Sequence, residues 1–307
     1  MKKSAKENIS IIGLPMDLGA DRRGVDMGPS ALRIAELQPK LERLGYKVTD
    51  LGDINVEIME KQKITNPKLK YLSEILKTSK ALAAKVESVL EKGDFPLCIG
   101  GDHSMALGTI AGIASYCRKK KKTLGVIWVD AHADMNTDET SPSGNIHGMP
   151  LAASLGLGSK ELVNILGFAP KLLPENCSLI AVRSIDDKEK EIIKKINLPV
   201  YAMPEIDKVG IHRIVVKVLK QFREKIDHIH ISFDVDSVDP SVAPGVGTPV
   251  PGGLSLREAH LLMETIAECG CMSSLEIAEV NPILDEKNKS AVFTTDLIAS
   301  SMGQRIL

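Results

Sequence analysis

Aromatic residues are scarce in this chain of 307 residues, with five Phe, four Tyr and one Trp. A hydrophobic core has to come mainly from Leu, Ile, Val and Ala. Cysteine is also little used. Cys98, Cys117, Cys177, Cys269 and Cys271 are odd in number and scattered, which fits a reducing cytoplasm better than a disulfide framework. The close pair around Gly270 lacks further thiols nearby to complete a metal clip. No excess of one charge exists: 39 Lys+Arg oppose 40 Asp+Glu, a formal net charge of −1. That balance excludes the marked basic excess of a general nucleic-acid or anionic-membrane binder. The cationic run Arg118 to Lys122 reads as a solvated helix end. Nor is there an apolar run of the roughly 20 residues that span a bilayer. The basic opening Met1 to Lys6 leads into Ile9 to Met16, which Gly13 and Pro15 interrupt, so no secretion signal is expected. A cytoplasmic location is expected instead. No Walker loop is present, and no GxGxxG follows a strand.

What is present is an alternation. Short β-branched runs begin at Ile9, Lys47, Pro96, Leu124, Ser178, Pro199, Ile229 and Ser274. Several are almost continuously apolar, as parallel strands covered on both faces should be. Between them lie helical patterns. Leu72, Ile75, Leu76, Ser79, Leu82, Ala83, Val86 and Leu90 keep one helix face. Pro29 suits a first turn, with Leu32, Leu37, Leu41 and Leu44 following in one helical pattern. The alternation predicts an α/β fold around a mainly parallel sheet, and no linker, repeat or compositional break divides it. One domain over residues 1–307 is expected, large enough to bury its core without staples.

Ligands bind such sheets at the carboxyl ends of the strands, and those ends are heavily loaded here. PLCIG is followed by Gly101-Asp102-His103-Ser104, and LGVIWV runs into Asp130-Ala131-His132-Ala133-Asp134. IHISF runs into Asp234-Val235-Asp236, and the last strand into Glu279-Val280-Asn281-Pro282. In an extended segment Asp130, His132 and Asp134 share one face, as do Asp234 and Asp236. A single acidic residue at a strand end is usually a cap or a turn residue. Together these segments need another explanation, because caps do not require alternating His and Asp. Four carboxylates at one sheet edge repel unless cations neutralise them, and two divalent ions bring roughly +4 against about −4. Oxygen donors with some imidazole suit Mn²⁺, whereas thiolates would have indicated Zn²⁺.

GGDHS, DAHAD and SFDVDSVDP together resemble the ureohydrolase (arginase/agmatinase) family. SPSGNIHGMP from Ser141, GVGTPVPGGLS from Gly245 and EVNP from Glu279 extend the similarity over nearly the whole chain, nearest to bacterial arginases. The resemblance implies a single α/β domain with a central eight-stranded sheet and helices on both faces. It implies two Mn²⁺ per chain, one held by His103, Asp130, Asp134 and Asp234, the other by His132, Asp130, Asp234 and Asp236. It further implies that a hydroxide bridging the metals, oriented by Asp134, attacks the guanidinium of L-arginine to give L-ornithine and urea. Glu279 matches the residue that pairs with the guanidinium, His147 the proton shuttle, and Thr248 a polar residue at that end. Asn136, Ser143 and Asn145 match residues that meet the α-carboxylate. Asp186 matches the residue facing the α-amino group, though the adjacent Asp187 competes for that place. A homo-oligomer, trimer or hexamer, is what the family suggests.

For some of these residues a plainer reading exists. Ser143-Gly144-Asn145 has the composition of an ordinary turn, and His147 could be a buried structural histidine. Three alternatives also remain for the chain: a relative acting on agmatine or another guanidino compound, a non-catalytic binding subunit, or a single-zinc deacetylase on a related sheet. The SGN…HG segment and Asp186 favour the amino-acid substrate. Loss of a metal ligand would favour a binding subunit, and none is lost. A single-zinc enzyme would not need the ligands of a second ion.

Overall fold

The computed structural model describes residues 8–305, so the basic opening stretch lies outside the described residues. The eight anticipated runs all form strands: β1 (Asn8–Leu14), β2 (Lys47–Asp53), β3 (Phe95–Gly100), β4 (Leu124–Val129), β5 (Cys177–Val182), β6 (Val200–Ala202), β7 (His228–Asp234) and β8 (Met272–Ala278). They build one sheet of order β2-β1-β3-β8-β7-β4-β5-β6, and every pairing in it is parallel. Interior strands such as β3, β4 and β5 are buried along their whole length, which explains their continuous apolar sequences.

Among the described residues the α-helices are α1 (Gly28–Ile34), α2 (Leu37–Arg43), α3 (Leu72–Glu91), α4 (Ala106–Lys120), α5 (Pro150–Ser154), α6 (Lys160–Val163), α7 (Asp187–Ile196), α8 (Met203–Val209), α9 (Ile211–Arg223) and α10 (Leu256–Cys269), which connect the strands, and α11 (Lys289–Ser301), which follows the last. Helices α1, α2 and α8–α11 bury Leu32, Leu41, Ile214, Leu262 and Leu297 against one face of the sheet. Helices α3–α6 bury Leu82, Val86, Ile110, Leu151 and Leu162 against the other. Both faces are therefore covered, mostly by aliphatic side chains. Among the described residues no helix is long and apolar enough to cross a membrane.

Two local expectations need correcting. The single helical pattern after Pro29 is two helices, broken where Glu36 takes a left-handed conformation with φ of 62°. Pro39 is the cause: its ring would clash with the carbonyl four residues back, at Ala35, so the chain has to restart. The second concerns cysteine. Gly270, left-handed at the end of α10, brings the Cα atoms of Cys269 and Cys271 to 5.3 Å, and the pair is joined in a disulfide. Cys98, Cys117 and Cys177 are free and buried.

The topology places the site. From β4 the chain moves outward to β5, whereas from β7 it moves the opposite way to β8. The crevice between β4 and β7 is a switch point, where open parallel sheets take their ligands.

Candidate metal centre

The candidate centre lies on the carboxyl ends of the four adjacent strands β3, β8, β7 and β4. Gly101, just past β3, ties its own strand end to those of β1 and β8. Its amide donates to the Leu14 carbonyl (2.8 Å), and its carbonyl accepts from the Glu279 amide (2.7 Å). A Cβ at Gly101 would stand 1.8 Å from the Met16 carbonyl oxygen, so the approach requires glycine. Asp102 then accepts the Gly19, Ala20 and Ser104 amides, which sets the turn that aims His103 inward.

His103 Nδ1 lies 3.1 Å from Asp130 Oδ2, 3.2 Å from Asp134 Oδ2 and 3.1 Å from Asp234 Oδ2. His132 Nδ1 lies 3.1 Å from Asp236 Oδ2 and 3.5 Å from Asp130 Oδ1. Two groups capable of holding an ion emerge, His103-Asp130-Asp134 and Asp130-His132-Asp236, with Asp130 common to both. Asp234 adjoins the first through His103. All six predicted ligands therefore converge.

Their convergence is not that of an extended strand. Strand β4 stops at Val129, and Asp134 takes a left-handed conformation with φ of 51° that bends the chain back. Past β7, Asp234 caps a tight 3₁₀ turn by accepting the Asp236 amide on Oδ1 (2.7 Å). Asp130 accepts the His132 amide on Oδ1 (2.7 Å), leaving Oδ2 beside His103. Asp236 accepts the Ala131 amide on Oδ1 (3.3 Å) and turns Oδ2 to His132. Each of these carboxylates is cap and candidate ligand at once, with one oxygen for each task.

The electrostatics describe a cation-hungry site. Burial and neighbouring carboxylates push Asp134 up to about 7 and hold Asp234 and Asp236 above the usual range. Asp130 stays below it, because His103 and His132 outweigh its burial. Against its own burial, His132 is pushed up to about 12 by Asp236 and Asp130. His103 Nδ1 and Asp134 Oδ2 are buried without a hydrogen-bond partner. Orphaned donor atoms of this kind, nitrogen and oxygen only, fit bound divalent cations. The one tryptophan also serves this centre. Trp128 stacks on the His103 ring with centroids 4.2 Å apart and donates to Asp130 Oδ2 at 2.9 Å.

Glu279 is left-handed, with φ of 67°, and almost wholly buried. Its Oε1 accepts the His103 amide (2.9 Å) and faces His147 Nδ1 at 3.0 Å, while Oε2 has no partner. Burial lowers the His147 pKa, yet Glu279 foremost among the nearby carboxylates lifts it to about 9.

The predicted ligands border a cleft of about 130 Å³ through His103, His132, Asp134, Asp234 and Asp236, with Asp130 behind them. His147, Glu279, Asn136, Asp186 and Thr248 line it too. Thr248 Oγ1 donates to Asp236 Oδ2 at 3.1 Å. Asp186 accepts from Asn136 Nδ2 at 3.0 Å, whereas Asp187 faces solvent and pairs with Lys190, which separates the two neighbours. Ser143 and Asn145 are not among the lining residues. Ser143 is exposed and accepts the Asn145 amide, and Asn145 Nδ2 donates to the Ala20 carbonyl at 2.9 Å.

Sequence reasoning missed Ser184 and Glu189, both of which line the cleft. Glu189 accepts the Asp186 amide and the Met135 amide, each at 2.9 Å, tying the start of α7 to the loop beyond Asp134. Its spacing from Asp186 is that of a capping box, a signal that was available.

Comparison with known proteins now has a geometry to meet. The profile of the arginase family matches residues 7–303. The arginase of Bacillus caldovelox is 50% identical over 300 residues, covering 97% of this chain and 99% of that one. The arginase of Bacillus subtilis strain 168 is 51% identical over 302 residues, covering 98% and 99%. The solved Bacillus caldovelox arginase, native at pH 5.6, superposes with a TM-score of 0.94 over 98% of this chain and 100% of its own, at 50% identity.

Proposed function

The chain belongs to the arginase family, and on that premise we propose that it hydrolyses L-arginine to L-ornithine and urea, with two Mn²⁺ per chain. The observation that carries the reading is His103 Nδ1, bare and buried, with three carboxylate oxygens 3.1–3.2 Å away. His103, Asp130, Asp134 and Asp234 would hold one ion; His132, Asp130, Asp234 and Asp236 would hold the other. Bound there, the pair would neutralise the carboxylates and would supply a water acidic enough to ionise near neutral pH.

The chain's own residues do the rest. Guanidinium remains protonated at ordinary pH and would be repelled by two dications without an opposing carboxylate. Glu279 Oε2, buried and unpartnered, is that carboxylate. Thr248 adds a polar contact at the same end. Asp134, besides helping to hold an ion, would orient the attacking water. His147, held protonated at neutral pH by Glu279, gives its proton to the departing ornithine nitrogen. At the far end Asp186 meets the α-ammonium. Asn136, Ser143 and Asn145 each keep a side-chain hydrogen for the α-carboxylate, directly or through water. We extend the proposal to a cytoplasmic homo-oligomer, trimer or hexamer.

Urea release from arginine and from agmatine by the manganese-loaded protein tests this reading. Two hydrogen bonds to a charged carboxylate, at about 1.5–3 kcal/mol each, predict a kcat/KM preference for arginine of about 10²–10⁴. Equal rates on the two substrates would overturn it in favour of a broader guanidino hydrolase.

A further inference from the structure

Behind the metal centre, between β7 and β8, runs a chain of buried polar side chains that the reaction does not use. His103 Nε2 lies 2.8 Å from Ser232 Oγ, which donates to Glu276 Oε1 at 2.7 Å. His230 Nε2 approaches the same Oε1 at 3.4 Å. On its other side His230 Nδ1 lies 2.9 Å from Ser274 Oγ, and His228 Nε2 lies 2.9 Å from that same oxygen. The spacing is that of strand pleats: His228, His230 and Ser232 alternate along β7, Ser274 and Glu276 along β8. His230, Ser232 and Glu276 have no exposed surface at all.

With Glu276 ionised, the Ser232 hydroxyl has one place for its proton. Burial depresses His228 to about 3, so that ring is neutral. His230 keeps Glu276 below the usual carboxylate range in spite of burial. The Ser232 hydroxyl donates to Glu276. Ser232 can therefore only accept from His103, which puts the His103 proton on Nε2 and leaves Nδ1 bare toward the three carboxylates. A buried glutamate costs more than a well-packed apolar residue unless it performs a task. Orienting a metal-binding imidazole through its second nitrogen is such a task.

We propose that Glu276, acting through Ser232 and braced by His230 and Ser274, is a positioning residue that fixes the tautomer of His103 and so sets the affinity of the ion His103 holds. This rests on the dimetal reading above but adds residues that touch neither ion nor substrate. The test is titration of metal-free protein with Mn²⁺, on wild type and on Ser232→Ala, Glu276→Gln and Ser232→Thr. Wild type takes up two ions. Ser232→Ala and Glu276→Gln weaken one of the two by about 10–100-fold and leave the other unchanged, and Ser232→Thr, which keeps the hydroxyl, restores it. Both ions bound as in wild type by Ser232→Ala would overturn this inference and leave the dimetal reading intact. Wild type that takes up no Mn²⁺ would overturn both. Should Glu276→Gln fail to fold, Ser232→Ala, a buried change of one oxygen, carries the test.

Discussion

The metal pole and the substrate rim of the cleft are built differently. At the pole, Asp130, Asp234 and Asp236 each spend one oxygen on a backbone amide of a strand-end turn and aim the other inward. Their positions are fixed by the sheet itself. At the proposed rim, Asn136 lines the cleft, whereas Ser143 and Asn145 lie outside its lining on the same connection, held by contacts such as Asn136 to Asp186 and the Lys70 amide to the Gly144 carbonyl at 3.1 Å. The pole is pre-organised for ions, whereas the rim has to meet its ligand with groups partly engaged elsewhere. Chemistry should therefore fail abruptly when the pole is altered, and specificity should shift gradually when the rim is.

The largest effect expected is at the pole. Asp234→Ala removes a carboxylate proposed to touch both ions and should lower metal content and urea release by orders of magnitude; a variant that keeps two ions and near-normal turnover would erase the distinction between the regions. His147→Asn comes next. It should retain metal and substrate binding while kcat falls about 10²–10⁴-fold, the span for loss of a general acid, and a kcat within about twofold of wild type would make His147 structural. Asn145→Ala probes the rim. One lost hydrogen bond to a charged group predicts an arginine kcat/KM reduced by about 10–10² with agmatine turnover little changed; equal losses on both substrates would mean that the rim acts on the reaction rather than on recognition.

The smallest effect lies beneath the pole, at His228. Its folded pKa of about 3 is depressed below the ordinary histidine value of 6.5, so between these values the unfolded chain binds more protons. Stability then rises with pH through that window and falls on acidification, by up to about 1.4 kcal/mol per pH unit. His228→Gln should flatten the acid limb of a denaturation series from pH 6 toward pH 4 (roughly the depressed window). An unchanged slope would show that His228 protonates without cost.

Legibility followed the same division. Every strand could be read, because parallel strands impose continuous apolar runs, and the six side chains proposed as ligands stand where those strands end. The manner of convergence could not be read. Asp130, His132 and Asp134 suggested an extended face, but the left-handed turn at Asp134 that gathers them depends on tertiary contacts. Treating cap and ligand as rivals also concealed that one carboxylate serves as both. Pro39 announced the break between α1 and α2, but the leucine periodicity across it spoke louder. Glu189 sits in a recognisable capping box three residues after Asp186, a signal that identifies a cap but not the cleft it lines. Glu276 and His230 carried no signal at all, since alternating polar residues inside a central strand acquire meaning only when their neighbours across the sheet are known.

The two proposed ions share carboxylates at the β4–β7 switch point, and anomalous diffraction at the manganese edge from crystals soaked in Mn²⁺ would locate them. Two peaks are expected, one within bonding distance of His103 and Asp134, the other of His132 and Asp236, with Asp130 and Asp234 reaching both. A single peak, or peaks outside these six side chains, would contradict that reading.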